Sequence, residues 1–182
     1  MISQLTKILG KSTVDEIRHS NHWYNEAHVY CLLLSQKYNV SMPKVVGILA
    51  ALSPNNKWER NVIDVESFLI NPSDTVSVAT YNSNKRKAIL IYNSEDSEIE
   101  SILKGLKTTS FYKNILNPEE SKEVTVDLWM YRMVNLKNTR RNYFFIKEMV
   151  NHIADDKKVP SNVIQANLWI TYRRLYTNKE IN

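Results

Sequence analysis

The chain has 182 residues, enough for one substantial core, and its 43% apolar and 24% charged content is ordinary for a globular protein. Three glycines and five prolines are too few for a sandwich or barrel of many short strands, and a single cysteine excludes an internal disulfide and any Cys-based metal or iron–sulfur centre. The formal charge is +5 and unevenly spread, with 14 basic and 8 acidic residues from position 101 onward against 10 and 11 before it; such a basic half fits a polyanion partner or a solvated helix face.

In chain order the signals are helical. Asn21 can cap a helix running to about Tyr38, with Trp23, Ala27, Tyr30, Cys31 and Leu34 at helical spacing. Ser41 followed by Pro43 predicts the start of the next helix, which carries Val45, Val46, Ile48, Leu49 and Leu52. Trp58 to Leu69 is a third, stopped by Asn71-Pro72. Residues 73 to 82 are polar and irregular, and a helix covers Lys87 to Tyr92. A short helix precedes Leu103, a turn occupies Lys104-Gly105-Leu106-Lys107, and a helix follows from Thr108 to Leu116. After a polar loop, a brief extended stretch from Val124 to Val126 leads into a helix over about Asp127 to Leu136. Two longer helices, about Thr139 to Ala154 and Pro160 to Tyr176, finish an all-α chain of eight to ten helices.

Other features exclude more than they assign. No apolar run reaches membrane-spanning length, and the N-terminus lacks a charged region followed by an apolar one, so a cytoplasmic, reducing location is expected. His19, His22, His28 and His152 have no metal-ligand spacing backed by acids, so neither metal nor cofactor is expected. Trp58, Trp23 and the pair Phe144-Phe145 are expected in the core. Lys85-Arg86-Lys87 and Arg140-Arg141 suit either phosphate contacts or a solvated helix face.

Residues 102 to 132 carry the chemistry. The helical hairpin Leu103-Lys104-Gly105-Leu106 is followed by Lys107, Thr108 and Thr109, and Thr125-Val126-Asp127 then opens a helix on an aspartate 22 residues after Gly105. Amides at the start of the hairpin's second helix can hold an anion, and a carboxylate at a helix start can face a developing positive charge. The ordinary alternative for Asp127 is a helix cap, and the two roles are compatible. This stretch resembles the helix-hairpin-helix DNA glycosylases, with their Leu-Pro-Gly-Val-Gly hairpin and Val-Asp-x-His-hydrophobic-x-Arg catalytic segment. Val126-Asp127-Leu128-Trp129-Met130-Tyr131 is most similar to Val-Asp-Val-His-Met-Trp of the 8-oxoguanine branch.

The resemblance extends over most of the chain. Leu52-Ser53-Pro54-Asn55-Asn56 resembles the Leu-Ser-x-Gln segment, whose amide fills the gap left by a flipped base, and it implies that role for Asn55 with Asn56 beside it. Tyr81-Asn82-Ser83 with Lys87-Ala88 resembles a segment of the thymine-glycol branch. Gln165-Ala166-Asn167-Leu168-Trp169 resembles Gln-Ala-x-Leu-Phe, which implies a base pocket of Gln165, Trp169 and Trp129. The resemblance therefore implies a two-lobed helical bundle, with one lobe of about 1–40 plus 138–182 and another of about 41–137 holding the hairpin. It implies a monomer that flips a damaged or modified base from double-stranded DNA and excises it with Asp127. Gly105, Lys107, Thr108 and Thr109 would contact the DNA.

There are departures. The lysine that forms an imine in bifunctional members is Thr109 here, which implies a monofunctional hydrolase; Lys107 replaces the hairpin's second glycine and is the one lysine a shifted turn could bring into catalysis. Trp129 stands where the family has histidine. The short length and degenerate hairpin resemble compact phage-encoded relatives made in a bacterial host. Two other outcomes stay open: group transfer onto a flipped base, and DNA binding without turnover.

Overall fold

The computed structural model describes the backbone of residues 1–180 and the side chains of residues 1–176. Among the described residues there are ten α-helices, one short 3-10 helix and no strand, so the all-α expectation is met. The helices are α1 (Ile2–Leu9), α2 (Val14–Tyr38), α3 (Met42–Leu52), α4 (Trp58–Ile70), α5 (Asn82–Asn93), α6 (Ile99–Leu103), α7 (Leu106–Leu116), α8 (Leu128–Met133), α9 (Arg140–Lys157) and α10 (Ser161–Glu180). They fall into two compact units, Met1–Glu26 with Asn117–Asn182, and Ala27–Leu116. These boundaries differ from the expected 40/41 and 137/138, so Asp127 belongs with α9 and α10, and the hairpin belongs to the other unit.

The sequence expectation has no helix where α1 lies and starts α7 at Thr108 instead of Leu106, and three further elements depart from it. Helix α2 begins at Val14 and not near Asn21, because Thr13 and Glu16 form a capping box: Thr13 Oγ1 accepts from Glu16 N (3.2 Å) and Glu16 Oε2 accepts from Thr13 N (2.9 Å). Helix α5 starts at Asn82, earlier than Lys87. Val124 to Val126 form no strand. They are a buried connector whose Val124 carbonyl accepts from Tyr143 Oη at 2.8 Å.

In the unit of residues 27–116, α3 is the central helix. Every residue from Val45 to Leu52 is buried, as expected of a helix apolar around its whole circumference, and α4, α5, α6 and α7 pack around it. Close approach is possible at Gly47, where a Cβ would lie 2.8 Å from Ile99 Cγ2 and 3.1 Å from Ile91 Cγ2. Both are branched methyls of fully buried residues with nowhere to retreat. Gly47→Val should therefore destabilise the protein by about 1–3 kcal/mol through overpacking. A denaturant midpoint unchanged from wild type would contradict this packing.

In the other unit, α10 packs against α1, α8 and α9. Its far turn is clamped to the start of α2 by Arg174. That guanidinium donates to both carboxylate oxygens of Glu16 (2.6 and 3.0 Å) and to the Lys11 carbonyl (2.8 Å). Its hydrogen bond to Glu16 holds that carboxyl below its ordinary range. The clamp ties this turn of α10 to the segment around Lys11–Glu16, and Trp169 lies just over one turn before Arg174 on the same helix.

Candidate active site

Asp127 is the N-cap of α8 and is partly exposed. One oxygen, Oδ1, accepts from the backbone amides of Trp129 (2.9 Å) and Met130 (3.1 Å), which closes the helix start. The other, Oδ2, accepts from Trp169 Nε1 at 2.9 Å. Capping thus orients the carboxylate, and an indole delivered by α10 holds its second oxygen. The cap role and the site role coexist in one residue.

Around this carboxylate the two tryptophans carry a layer of aromatic and cationic groups. Trp129 meets Tyr172 and Tyr176 edge-on, with centroids 6.3 and 5.2 Å apart. The guanidinium of Arg132 lies 4.8 Å from the Trp129 ring, and that of Arg173 lies 4.4 Å from Trp169 and 5.8 Å from Trp129. Both tryptophans are half-buried, and guanidiniums already lie over their rings.

Gln165, one turn before Trp169, is buried, and its Oε1 accepts from Tyr24 Oη at 2.6 Å. Tyr24 Oη also lies 3.1 Å from Thr125 Oγ1. Gln165 is therefore tied into a polar link from α2 to the connector carrying Asp127. The sequence offered no sign of Tyr24 in this role; a tyrosine at helical spacing in an apolar stripe is indistinguishable from core.

The remaining expected residues lie in the unit of residues 27–116. Asn55 is exposed, in the left-handed region (φ 57), and its Nδ2 donates to Tyr81 Oη at 2.7 Å. Asn56 turns inward, donating to Asp64 Oδ2 (2.8 Å). The predicted hairpin forms: α6 ends on Lys104, which takes the left-handed turn (φ 56), and α7 begins at Leu106, directly after Gly105. Thr108 Oγ1 donates to the Gly105 carbonyl (3.0 Å), as does Thr109 N (2.9 Å). Lys107 and Thr109 are both half-buried on α7, but two residues of helix set them about 200° apart, on opposite faces. Lys107 cannot take Thr109's place without rotating α7.

Several sequence features resolve into structural roles. Lys85 Nζ donates to the Asp74 and Val76 carbonyls and Lys87 Nζ to the Leu103 carbonyl at 3.0 Å, so two cations of the Lys85-Arg86-Lys87 run secure backbone. His28 Nδ1 meets the Ile115 carbonyl at 2.9 Å. Burial pushes the Cys31 thiol up to about 12, which removes it as a nucleophile. Phe144 and Phe145, expected in the core, are instead exposed on α9, because Tyr143 and Ile146 take the inward positions of that turn. No group of three or more His, Cys, Asp or Glu able to hold a metal occurs among the described residues. No described helix is long and apolar enough to cross a membrane.

One family model, described as a family of unknown function (DUF7178), matches residues 1–176. No curated protein and no solved structure matches the chain.

Proposed function

We propose that this chain, which belongs to the DUF7178 family, is a monofunctional DNA glycosylase of helix-hairpin-helix type that hydrolyses the bond between a flipped, damaged or modified base and its sugar. The observation that carries the reading is Asp127: a helix-capping carboxylate whose second oxygen is held by the Trp169 indole, in a half-buried cluster of aromatic and cationic side chains. In the proposed reaction the C1′–N bond breaks heterolytically and its electron pair leaves with the base. Positive charge then grows on C1′ and the ring oxygen, where an oriented carboxylate stabilises it. Water adds to C1′ and loses a proton, and the departing base gains one. The indoles of Trp129 and Trp169 suit a planar base that takes the place of the Arg132 and Arg173 guanidiniums now over their rings.

The hairpin adds to the reading independently. The start of α7 is a short turn after a left-handed residue, the backbone arrangement that presents amides to a phosphate. Asn55, exposed at a loop tip, suits insertion into a duplex. With threonine at position 109 and Lys107 on the opposite face of α7, an imine step has no support, and hydrolysis is the simpler chemistry.

A second reading, DNA binding without turnover, is favoured by one observation: both Asp127 oxygens already accept from the protein's own N–H groups. Incubation with modified DNA, followed by mass spectrometry of released free bases, separates the two. A released base supports the enzyme; salt-dependent binding with no base released from any modified DNA supports the binding module.

Trp169→Phe keeps the ring and removes the one donor to Asp127 Oδ2. It should cost about 1 kcal/mol of stability for the lost hydrogen bond. Base release should fall by more than that stability change explains. Unaltered single-turnover rates would show that Trp169 does not position Asp127.

A further inference from the structure

Between residues 128 and 147 the chain has five basic residues, Arg132, Lys137, Arg140, Arg141 and Lys147, and no acidic one. Lys147 pairs with Glu123 at 2.7 Å; the other four have no ion pair among the described residues. Arg140 and Arg141 are the first two residues of α9, whose first turn has no acid. A helix N-terminus carries partial positive charge, so two arginines there oppose the helix that holds them. Helix stability does not explain their place.

One turn further along the same face stand Phe144 and Phe145, 40% and 39% exposed. The Arg140 guanidinium lies 5.5 Å from the Phe144 ring, and Tyr143 meets that ring edge-on at 5.8 Å. Two part-exposed rings thus stand beside cations that have no ion pair among the described residues, with the exposed Glu148 one turn on from Phe144. The patch also shares a frame with Asp127: Tyr143 Oη donates to the Val124 carbonyl (2.8 Å), and Tyr131 Oη reaches the Thr139 carbonyl at the α9 cap (3.4 Å).

We infer that the first two turns of α9 bind unpaired nucleotides, with Phe144 and Phe145 stacking on bases while Arg140 and Arg141 meet the flanking phosphates. The charge fixes the partner as polyanionic, and the paired open rings select exposed base faces over a closed duplex, whose bases offer none. The inference rests on the proposed function only for nucleic acid as the partner, since nothing in it requires a reaction.

The test uses the full chain and fluorescence anisotropy with a labelled 20-nucleotide oligothymidylate and a 20-base-pair duplex. Stacking on each ring is worth roughly tenfold in affinity. Phe144→Ala with Phe145→Ala should weaken single-strand binding at least about tenfold and duplex binding less than about threefold, both measured well below the variant's own thermal midpoint because the rings are only 40% and 39% exposed. Trp at both positions should restore binding. Arg140→Ala with Arg141→Ala should lower the salt slope on the single strand by about 1.4, two phosphates' worth. Single-strand affinity within about threefold of wild type in the folded phenylalanine variant overturns the inference. So does ring-dependent binding to phosphatidylserine vesicles without ring-dependent binding to the oligonucleotide. Ring-dependent strand binding by a protein that releases no base leaves this surface standing and removes only the glycosylase.

Discussion

Asp127→Asn is expected to reduce base release by on the order of 10²–10³-fold while leaving duplex affinity within a small factor of wild type. The substitution keeps the shape of the residue and one carbonyl-type oxygen, which can still accept from the Trp129 and Met130 amides and hold the start of α8. It cannot also accept from Trp169 through its other atom, because an amide nitrogen is a donor. What is lost is the negative charge that would oppose the developing charge on the sugar. Asp127→Ala provides the contrast: it removes the cap as well, at a cost of about 1 kcal/mol. In a chain of this size, that cost corresponds to a thermal midpoint lower by roughly 2–4 °C. Comparing the two variants by single-turnover base release and by melting separates a chemical role from a capping role. An asparagine variant that releases base at the wild-type rate would remove Asp127 from the mechanism.

Much of this site was legible because it depends on local chemistry. An aspartate before Leu128-Trp129-Met130 reads as a cap from residue type alone, and the cap is where the structure puts it. The hairpin around Gly105 was equally readable, since a short helix, a turn and a helix follow one another between Ile99 and Leu116. What the sequence hid were partners brought together by tertiary packing. Trp169 lies 42 residues from Asp127, and Tyr24 lies 141 from Gln165. No periodicity reports such pairings. Phe144 and Phe145 failed for a different reason: in Arg140 to Met149 the residues Tyr143, Phe144, Phe145 and Ile146 form an unbroken apolar run, so the pattern does not say which two face inward. The early start of α2 was readable and missed, because Thr13 and Glu16 stand at capping-box spacing just ahead of it.

The second large effect is expected in the unit of residues 27–116, at Asp64. This side chain is completely buried on α4, and it accepts from three directions: Arg60 Nε (2.7 Å), Asn56 Nδ2 (2.8 Å) and the Ala79 backbone amide (2.8 Å). Two of these donors belong to irregular segments, the Pro54–Asn56 loop and the stretch before α5, which no helix ladder supports. Thr80 Oγ1 donates to the Pro54 carbonyl (2.8 Å), so Asp64 and Thr80 together tie one segment to the other. Asp64→Ala removes the acceptor of the Ala79 amide and of an inward asparagine, although Ala79 is exposed and Arg60 half-exposed, so both can turn to water. The expected cost is about 3 kcal/mol, from the loss of three hydrogen bonds to one buried carboxylate. That corresponds to a midpoint lower by roughly 6–12 °C. Hydrogen exchange should accelerate most at Ala79 and in the Asn55 loop, ahead of α3. Asn55→Gly, which keeps the left-handed backbone (φ 57) and removes the Tyr81 contact, should leave stability within about 0.5 kcal/mol of wild type. If both variants melt alike, Asp64 does not hold the loop. If only Asp64→Ala melts early, the loop that presents Asn55 is supported from beneath by a carboxylate whose role is structural.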